Sequence, residues 1–151
     1  MQILSTVVNI FIVLCFGITL NAEGTEGNNP DQRMKTMKPC PSSPNCVSSQ
    51  AGDPRHSMEP IPFTGSRDAA QARLRAIIQS MPRSKVMKEE TGYLAVSFRS
   101  RIFGFVDEAE FSFDEHTGSV HFRSGASTGC YDFGVNRSRM QRIAEAFKAA
   151  D

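Results

Sequence analysis

From residue 66 onward the chain changes hydrophobic period twice. Over residues 66 to 81 the apolar positions Ala70, Leu74, Ile77, Ile78 and Met81 fall on one helical stripe. Ser66 is placed to cap that helix, Asp68 sits in its first turn, and Pro82 stops it. The period then shortens to two. Strand-like runs cover about 84 to 90, 93 to 100, 105 to 114 and 118 to 126. Turn signals at Thr91-Gly92 and at His116-Thr117-Gly118 favour antiparallel hairpins. In the second run Leu94, Val96 and Phe98 alternate with Tyr93, Ala95, Ser97 and Arg99. In the third, Phe105, Ala109, Phe111 and Phe113 share a face with Asp107, while Val106, Glu108, Glu110 and Ser112 take the other. In the fourth, Val120 and Phe122 alternate with His121 and Arg123.

Helical spacing returns from about 137 to 149, with Met140, Ile143, Ala144 and Phe147 on one stripe and Asn136 placed to cap its start. This order predicts a two-layer α+β domain, an antiparallel sheet of about four strands with two helices packed on its apolar face. Ile102 and Phe103, between strands, read first as a loop that covers the core, with a membrane-touching tip as the alternative.

The N-terminal part follows neither period. Ile3 to Leu20 is apolar apart from Ser5, Thr6, Asn9 and Thr19 and carries no charge. Such a stretch reads as a membrane-inserting targeting segment, either a signal peptide cut after Ala22 or an uncleaved anchor just long enough to cross a bilayer. Residues 23–38, rich in Gly, Asn, Thr and charge, read as a linker, and 39–151 as a single domain. The expected location is therefore outside the cytoplasm, in a periplasm or cell envelope.

Charge narrows the functional classes. Lys and Arg total 17 against 16 Asp and Glu, a formal charge of +1, so bulk electrostatics offers no case for a nucleic-acid partner. Membrane contact is expected only through the N-terminal segment, if it stays attached. A hydrophobic fraction of 40% with 11 Phe suffices for a packed core. Cys40 and Cys46 bracket a short Pro-containing loop, CPSSPNC, for which a disulfide is the simplest account in an oxidising compartment. The rival, metal binding with His56, matches no standard zinc spacing, and neither a metal nor a cofactor is expected. Cys130 is left unpaired. His56, His116 and His121 are scattered and read as solvated.

Three separated stretches, CPSSPNCVSSQ, GFVDEAEF and RSGASTGCYDFGVNRSR, resemble in sequence and order the bacterial and plastid family known as domain of unknown function 1499. The resemblance runs over about residues 38 to 149. It implies an envelope or lumenal protein and brings no established activity. Cys130 departs from the family pattern, in which an aromatic or basic residue is usual.

The candidate chemistry lies between Arg123 and Arg139. Ser124, Gly125, Ser127, Thr128, Gly129 and Gly134 form a small-residue loop running into the last helix, flanked by Arg123, Arg137 and Arg139. Free backbone N–H groups, a helix N-terminus and guanidinium groups suit a phosphate, sulfate or carboxylate, which makes Arg123, Ser124, Ser127, Asn136, Arg137 and Arg139 candidate ligand contacts. The alternative is a Gly-rich turn whose arginines pair with local acids. Those acids are Asp107, Glu108, Glu110 and Asp132; Glu108 and Glu110 share a face and face cross-strand pairing with Arg99, Arg123 or His121. Asp107, grouped with the phenylalanines, needs a partner such as Arg137, Arg139 or backbone N–H groups. The leading expectation is a non-enzymatic envelope module binding a small anionic ligand, a lipid headgroup or a protein partner. A hydrolase-like or transferase-like enzyme using the strand carboxylates and Arg123 is the alternative. Serine chemistry has no support, because Ser124 and Ser127 lack both a nucleophile elbow and an accompanying base.

Overall fold

The computed structural model describes residues 35–150. The predicted targeting segment, most of the predicted linker and the final residue lie outside them. The elements in chain order are β1 (Cys46–Ser48), β2 (Ile61–Pro62), α1 (Arg67–Ser80), β3 (Ser84–Glu90), β4 (Tyr93–Arg99), β5 (Val106–Asp114), β6 (Ser119–Ala126) and α2 (Val135–Ala149).

The local signals act as their chemistry requires. The Ser66 hydroxyl accepts from the Ala69 N–H at 3.3 Å, and Ala70, Leu74 and Ile78 form the buried stripe of α1. Gly92 turns β3 into β4 at φ +72, a left-handed conformation in which a side chain is strained. Its N–H, buried, donates to the Gln71 side chain at 2.8 Å, which ties this turn to α1.

The sheet runs β1-β6-β5-β4-β3, antiparallel throughout, with β2 also paired to β6. It therefore has six strands rather than about four. The two extra ones are three and two residues long and both lie along the outer edge of β6, opposite Arg123 to Gly125 and opposite Ser119 to Val120. Runs that short carry no readable alternation.

Both helices pack on the face formed by Leu94, Val96, Phe98, Ala109, Phe111, Phe113, Val120 and Phe122, and Leu74, Ile78, Met140, Ile143 and Phe147 close the core from above. That core draws on residues between Val47 and Phe147, so a chain of residues 35–151 carries the elements that build it. Phe105 is a correction to the sequence reading. It precedes β5, does not share the buried face, and is exposed.

The other face is only partly open. Residues 35 to 40 run over it from β5 toward β1: the Lys35 N–H donates to the buried Ser112 hydroxyl at 3.0 Å, Met37 is buried, and Cys40 is disulfide-bonded to Cys46. Residues 35 to 38, grouped with the linker by composition, thus lie against the sheet. Lys35 also places its ammonium 3.9 Å from the centre of the Tyr93 ring and 3.2 Å from Glu90.

Candidate functional site

The residues singled out between Arg123 and Arg139 separate onto two sides of the sheet. Strand parity turns Ser124 and Asp107 toward α2, and helical spacing brings Asn136 and Arg139 to meet them; all four are buried. Arg139 donates from Nη2 to Asp107 at 2.7 Å and from Nη1 to the Asn136 side-chain oxygen at 2.9 Å. Its guanidinium lies 4.5 Å from the centre of the Phe98 ring. The Ser124 hydroxyl donates to the same Asn136 oxygen at 2.6 Å. The Asn136 side-chain amide in turn donates to Asp132 at 2.8 Å and toward the Asn45 carbonyl at 3.4 Å.

Asn136 is therefore not the cap of α2. The cap position is Gly134, left-handed at φ 74 and without a side-chain hydrogen bond, and Asn136 lies inside the helix with its polar atoms consumed by the network. Asp132 does the capping work from outside, accepting the N–H groups of Gly134 and Asn136 at 3.0 Å each. A carboxylate thus already occupies the helix N-terminus that the sequence offered to a ligand. Arg137 is likewise engaged: it donates to the Ser57 carbonyl at 3.1 Å and to the Arg55 carbonyl at 2.6 Å, fastening the 55–57 segment to α2. Ser127 is exposed in the loop.

The 53–57 segment holds the one histidine that is buried. His56, expected to be solvated, has Nδ1 2.9 Å from the Asp53 carboxylate and Nε2 3.0 Å from the Ser43 carbonyl. The His56 hydrogen bond holds the Asp53 carboxyl below its usual value, against the opposing effect of desolvation. A carboxyl whose folded value lies below its unfolded value contributes stability above about pH 4, and that contribution is lost as pH falls through the folded value. Amide protection at Arg55 and His56, whose N–H groups donate to Asp53, should accordingly fall on acidification below about pH 4. Asp53→Asn should flatten this acid step; a step of equal size in the variant would assign it to other groups.

Asn45 joins the remaining loop to this region, donating from its side chain to the Gly129 carbonyl at 2.5 Å. The three stretches CPSSPNCVSSQ, GFVDEAEF and RSGASTGCYDFGVNRSR, far apart in sequence, therefore meet in one polar network through Asn45, Asp107, and the set Ser124, Asp132, Asn136 and Arg139. The model of a family described as protein of unknown function (DUF1499) matches residues 36–147. The chain belongs to this family. Comparison with curated proteins finds no match. In this DUF1499 domain the stretches that carry the resemblance build the end of the fold from which the β6–α2 loop emerges. The family match begins one residue before Met37, which is buried on the other face of the sheet from the helices.

Glu108, Glu110 and Arg123 lie on the opposite face of the sheet, separated by it from Asp107, Ser124, Asn136 and Arg139. Glu110 accepts the Tyr93 hydroxyl at 2.7 Å. Burial, and then that carboxylate, push the Tyr93 hydroxyl well above the usual phenol range, so it stays a donor. Arg123 stands opposite Glu110, yet among the described residues its buried Nε has no hydrogen-bond partner. Cross-strand ion pairing is thus not formed there. A groove of about 480 Å³ lies alongside, floored by Ala95, Ser97, Glu108 and Glu110 and edged by Lys85 and Arg99.

One feature at this end runs against the favoured sequence reading. Ile102 and Phe103 cover no core: they are 82% and 74% exposed at the tip of the β4–β5 loop, with Phe105 beside them. The Phe103 and Phe105 rings are 5.6 Å apart. The β6–α2 loop leaves the same end of the sheet, since Asp107 pairs with Ala126 and the Ser127 N–H donates to the Val106 carbonyl. It carries exposed Tyr131 and Phe133, with ring centres 4.9 Å apart, and is followed by exposed Val135. Arg83, Arg99 and Arg101 are exposed at this end as well. Neither loop has an apolar run long enough to betray its exposure in the sequence; only the register of β4, β5 and β6 brings them to one end.

Proposed function

We propose that this domain is a non-enzymatic envelope module that docks on an anionic lipid surface through the β4–β5 and β6–α2 loops. One observation carries the reading: Ile102, Phe103, Phe105, Tyr131, Phe133 and Val135 are all exposed at one end of the sheet, accompanied by Arg83, Arg99 and Arg101. Apolar side chains left in water on protruding loops mark a contact surface, and aromatic residues suit the boundary between headgroup and acyl chain. The flanking guanidinium groups suit anionic headgroups. Of the local acids, Asp107 is paired to Arg139 and Asp132 is consumed at the start of α2, which leaves Glu108 alone against three guanidinium groups. A second copy would set arginine against arginine. This contact adds to whatever the N-terminal segment provides.

The test uses residues 35–151, so that binding reports on the domain. Vesicles containing phosphatidylglycerol should retain the protein and pure phosphatidylcholine vesicles should retain less, with the difference shrinking as salt is raised. Replacing Ile102 and Phe103 by serine should weaken binding at least about tenfold, since inserting one large apolar side chain contributes about 1.5–3 kcal/mol. Arg99→Gln with Arg101→Gln should weaken it by roughly fivefold per residue, at about 1 kcal/mol for each basic side chain near the surface. Equal retention of wild type and both variants would sink the proposal.

A further inference from the structure

We infer that the groove beside the docking end takes a small zwitterion in which a primary ammonium and a phosphate are a few bonds apart, the chemistry of an ethanolamine phospholipid headgroup. That a lipid is its source rests on the docking proposed above; the groove's chemistry stands on its own lining. Lys85, Ser97 and Glu108 are successive register partners on β3, β4 and β5, and so lie in one row on one face. The backbones at Lys85 and Glu108 are therefore two strand spacings apart, about 10 Å, with only the short Ser97 side chain between them. Among the described residues Lys85, Arg99 and Glu108 have no ion-pair partner within 4.0 Å, and the groove's other acid, Glu110, accepts the Tyr93 hydroxyl, so two acids and two bases face the same groove without neutralising one another directly, with Glu108 the carboxylate left free for a ligand.

A ligand that bridges them needs a cationic end for Glu108 and an anionic end for Lys85 and Arg99. A primary ammonium brings N–H donors to the carboxylate, and phosphate oxygens accept from the lysine and the guanidinium. The apolar lining from Ala95, Val106 and exposed Met87 accommodates the carbons between the two ends. Arg99 and Val106 form the last register pair before the β4–β5 loop, so the groove opens at the base of the segment carrying Ile102, Phe103 and Phe105. A headgroup held there leaves its acyl chains on the side where those residues would enter a bilayer.

The test has a soluble arm and a membrane arm, both on residues 35–151. Phosphoethanolamine and glycerophosphoethanolamine should shift the amide resonances of Ala95, Ser97 and Glu108 saturably in the millimolar range. Glu108→Gln and Lys85→Gln, both at exposed positions, should each weaken that binding about tenfold while the remaining spectrum stays that of the folded wild type. No saturable shift, or shifts indifferent to Glu108→Gln, would overturn the assignment. β-Alanine, which replaces phosphate by carboxylate, should bind more weakly; equal binding would overturn the phosphate part. In the membrane arm, adding phosphatidylethanolamine to phosphatidylglycerol vesicles should strengthen retention of wild type about fivefold and leave Glu108→Gln unchanged. Retention that ignores phosphatidylethanolamine would overturn a lipid source while the docking reading stands. Failure of every protein to bind vesicles, with the soluble arm positive, would instead remove the docking reading and leave a free amino phosphate as the ligand.

Discussion

Arg139→Met is expected to lower the unfolding free energy by about 3–5 kcal/mol, measured by urea denaturation of residues 35–151. The guanidinium is buried and makes a 2.7 Å charge-assisted bond to Asp107 and a 2.9 Å bond to Asn136. Methionine fills much of the same volume and still covers the Phe98 ring, so the loss is mainly electrostatic. What makes it large is the partner left behind: the Asp107 carboxylate, also buried, would keep its charge without a counter-ion or would have to take up a proton. The Asn136 oxygen would still accept from Ser124, so the damage should stay centred on Asp107. A double replacement, Asp107→Leu with Arg139→Met, removes both charges and should recover most of the stability, because the energetic problem is the orphaned group rather than the missing pair. If Arg139→Met cost less than about 1 kcal/mol, the pair would be no more than a surface ion pair in strength.

The same network shows what a sequence can and cannot disclose. Period-two alternation located Asp107 on the phenylalanine face, and a buried carboxylate demands a cation, so a partner such as Arg137 or Arg139 was legible from pattern and physics alone. Choosing between the two was not, because that depends on how α2 is rotated over the sheet. Arg139 faces inward, and Arg137 reaches sideways to the Ser57 and Arg55 carbonyls. Asn136 looked like a helix cap from its residue type, but the left-handed Gly134 starts α2 earlier and Asp132 takes the cap's bonds. The hairpins over β3 to β6 were readable because each strand is long enough to alternate and two of the turns carry glycine signals. Strands β1 and β2 owe their existence to the edge of β6 and have no pattern of their own. Composition put residues 35 to 38 in the linker, since it cannot show that the Lys35 backbone finds Ser112 across the sheet. The choice between a core-covering loop and an exposed tip was illegible for a similar reason: Ile102 and Phe103 are as apolar as any core pair, and only the position of the hairpin tip beyond the last pair, Arg99 with Val106, leaves them in water.

Phe111→Ala and Phe103→Ala, the same substitution eight residues apart, should therefore have opposite consequences. Phe111 is fully buried at the centre of the sheet, on β5 between Leu94 of β4 and Phe122 of β6, with the Phe122 ring centre 6.5 Å away. Its truncation removes apolar burial and leaves a cavity beneath both helices, a loss of about 3–5 kcal/mol. Phe103 is 74% exposed and meets chiefly the Phe105 ring, so its truncation should change stability by no more than about 0.5 kcal/mol. Vesicle retention should reverse the order: Phe103→Ala weakens it while the fold is untouched, and Phe111→Ala, measured where the variant is still folded, leaves it near wild type. Paired urea denaturation and vesicle sedimentation on the two variants decide the matter. Should Phe103→Ala destabilise the domain as Phe111→Ala does, the β4–β5 tip would belong to the core and could not be a docking surface. If instead it altered neither property, the tip would be an exposed loop without the role proposed for it, and the β6–α2 loop with the guanidinium groups of Arg83, Arg99 and Arg101 would have to account for any attraction to anionic lipid.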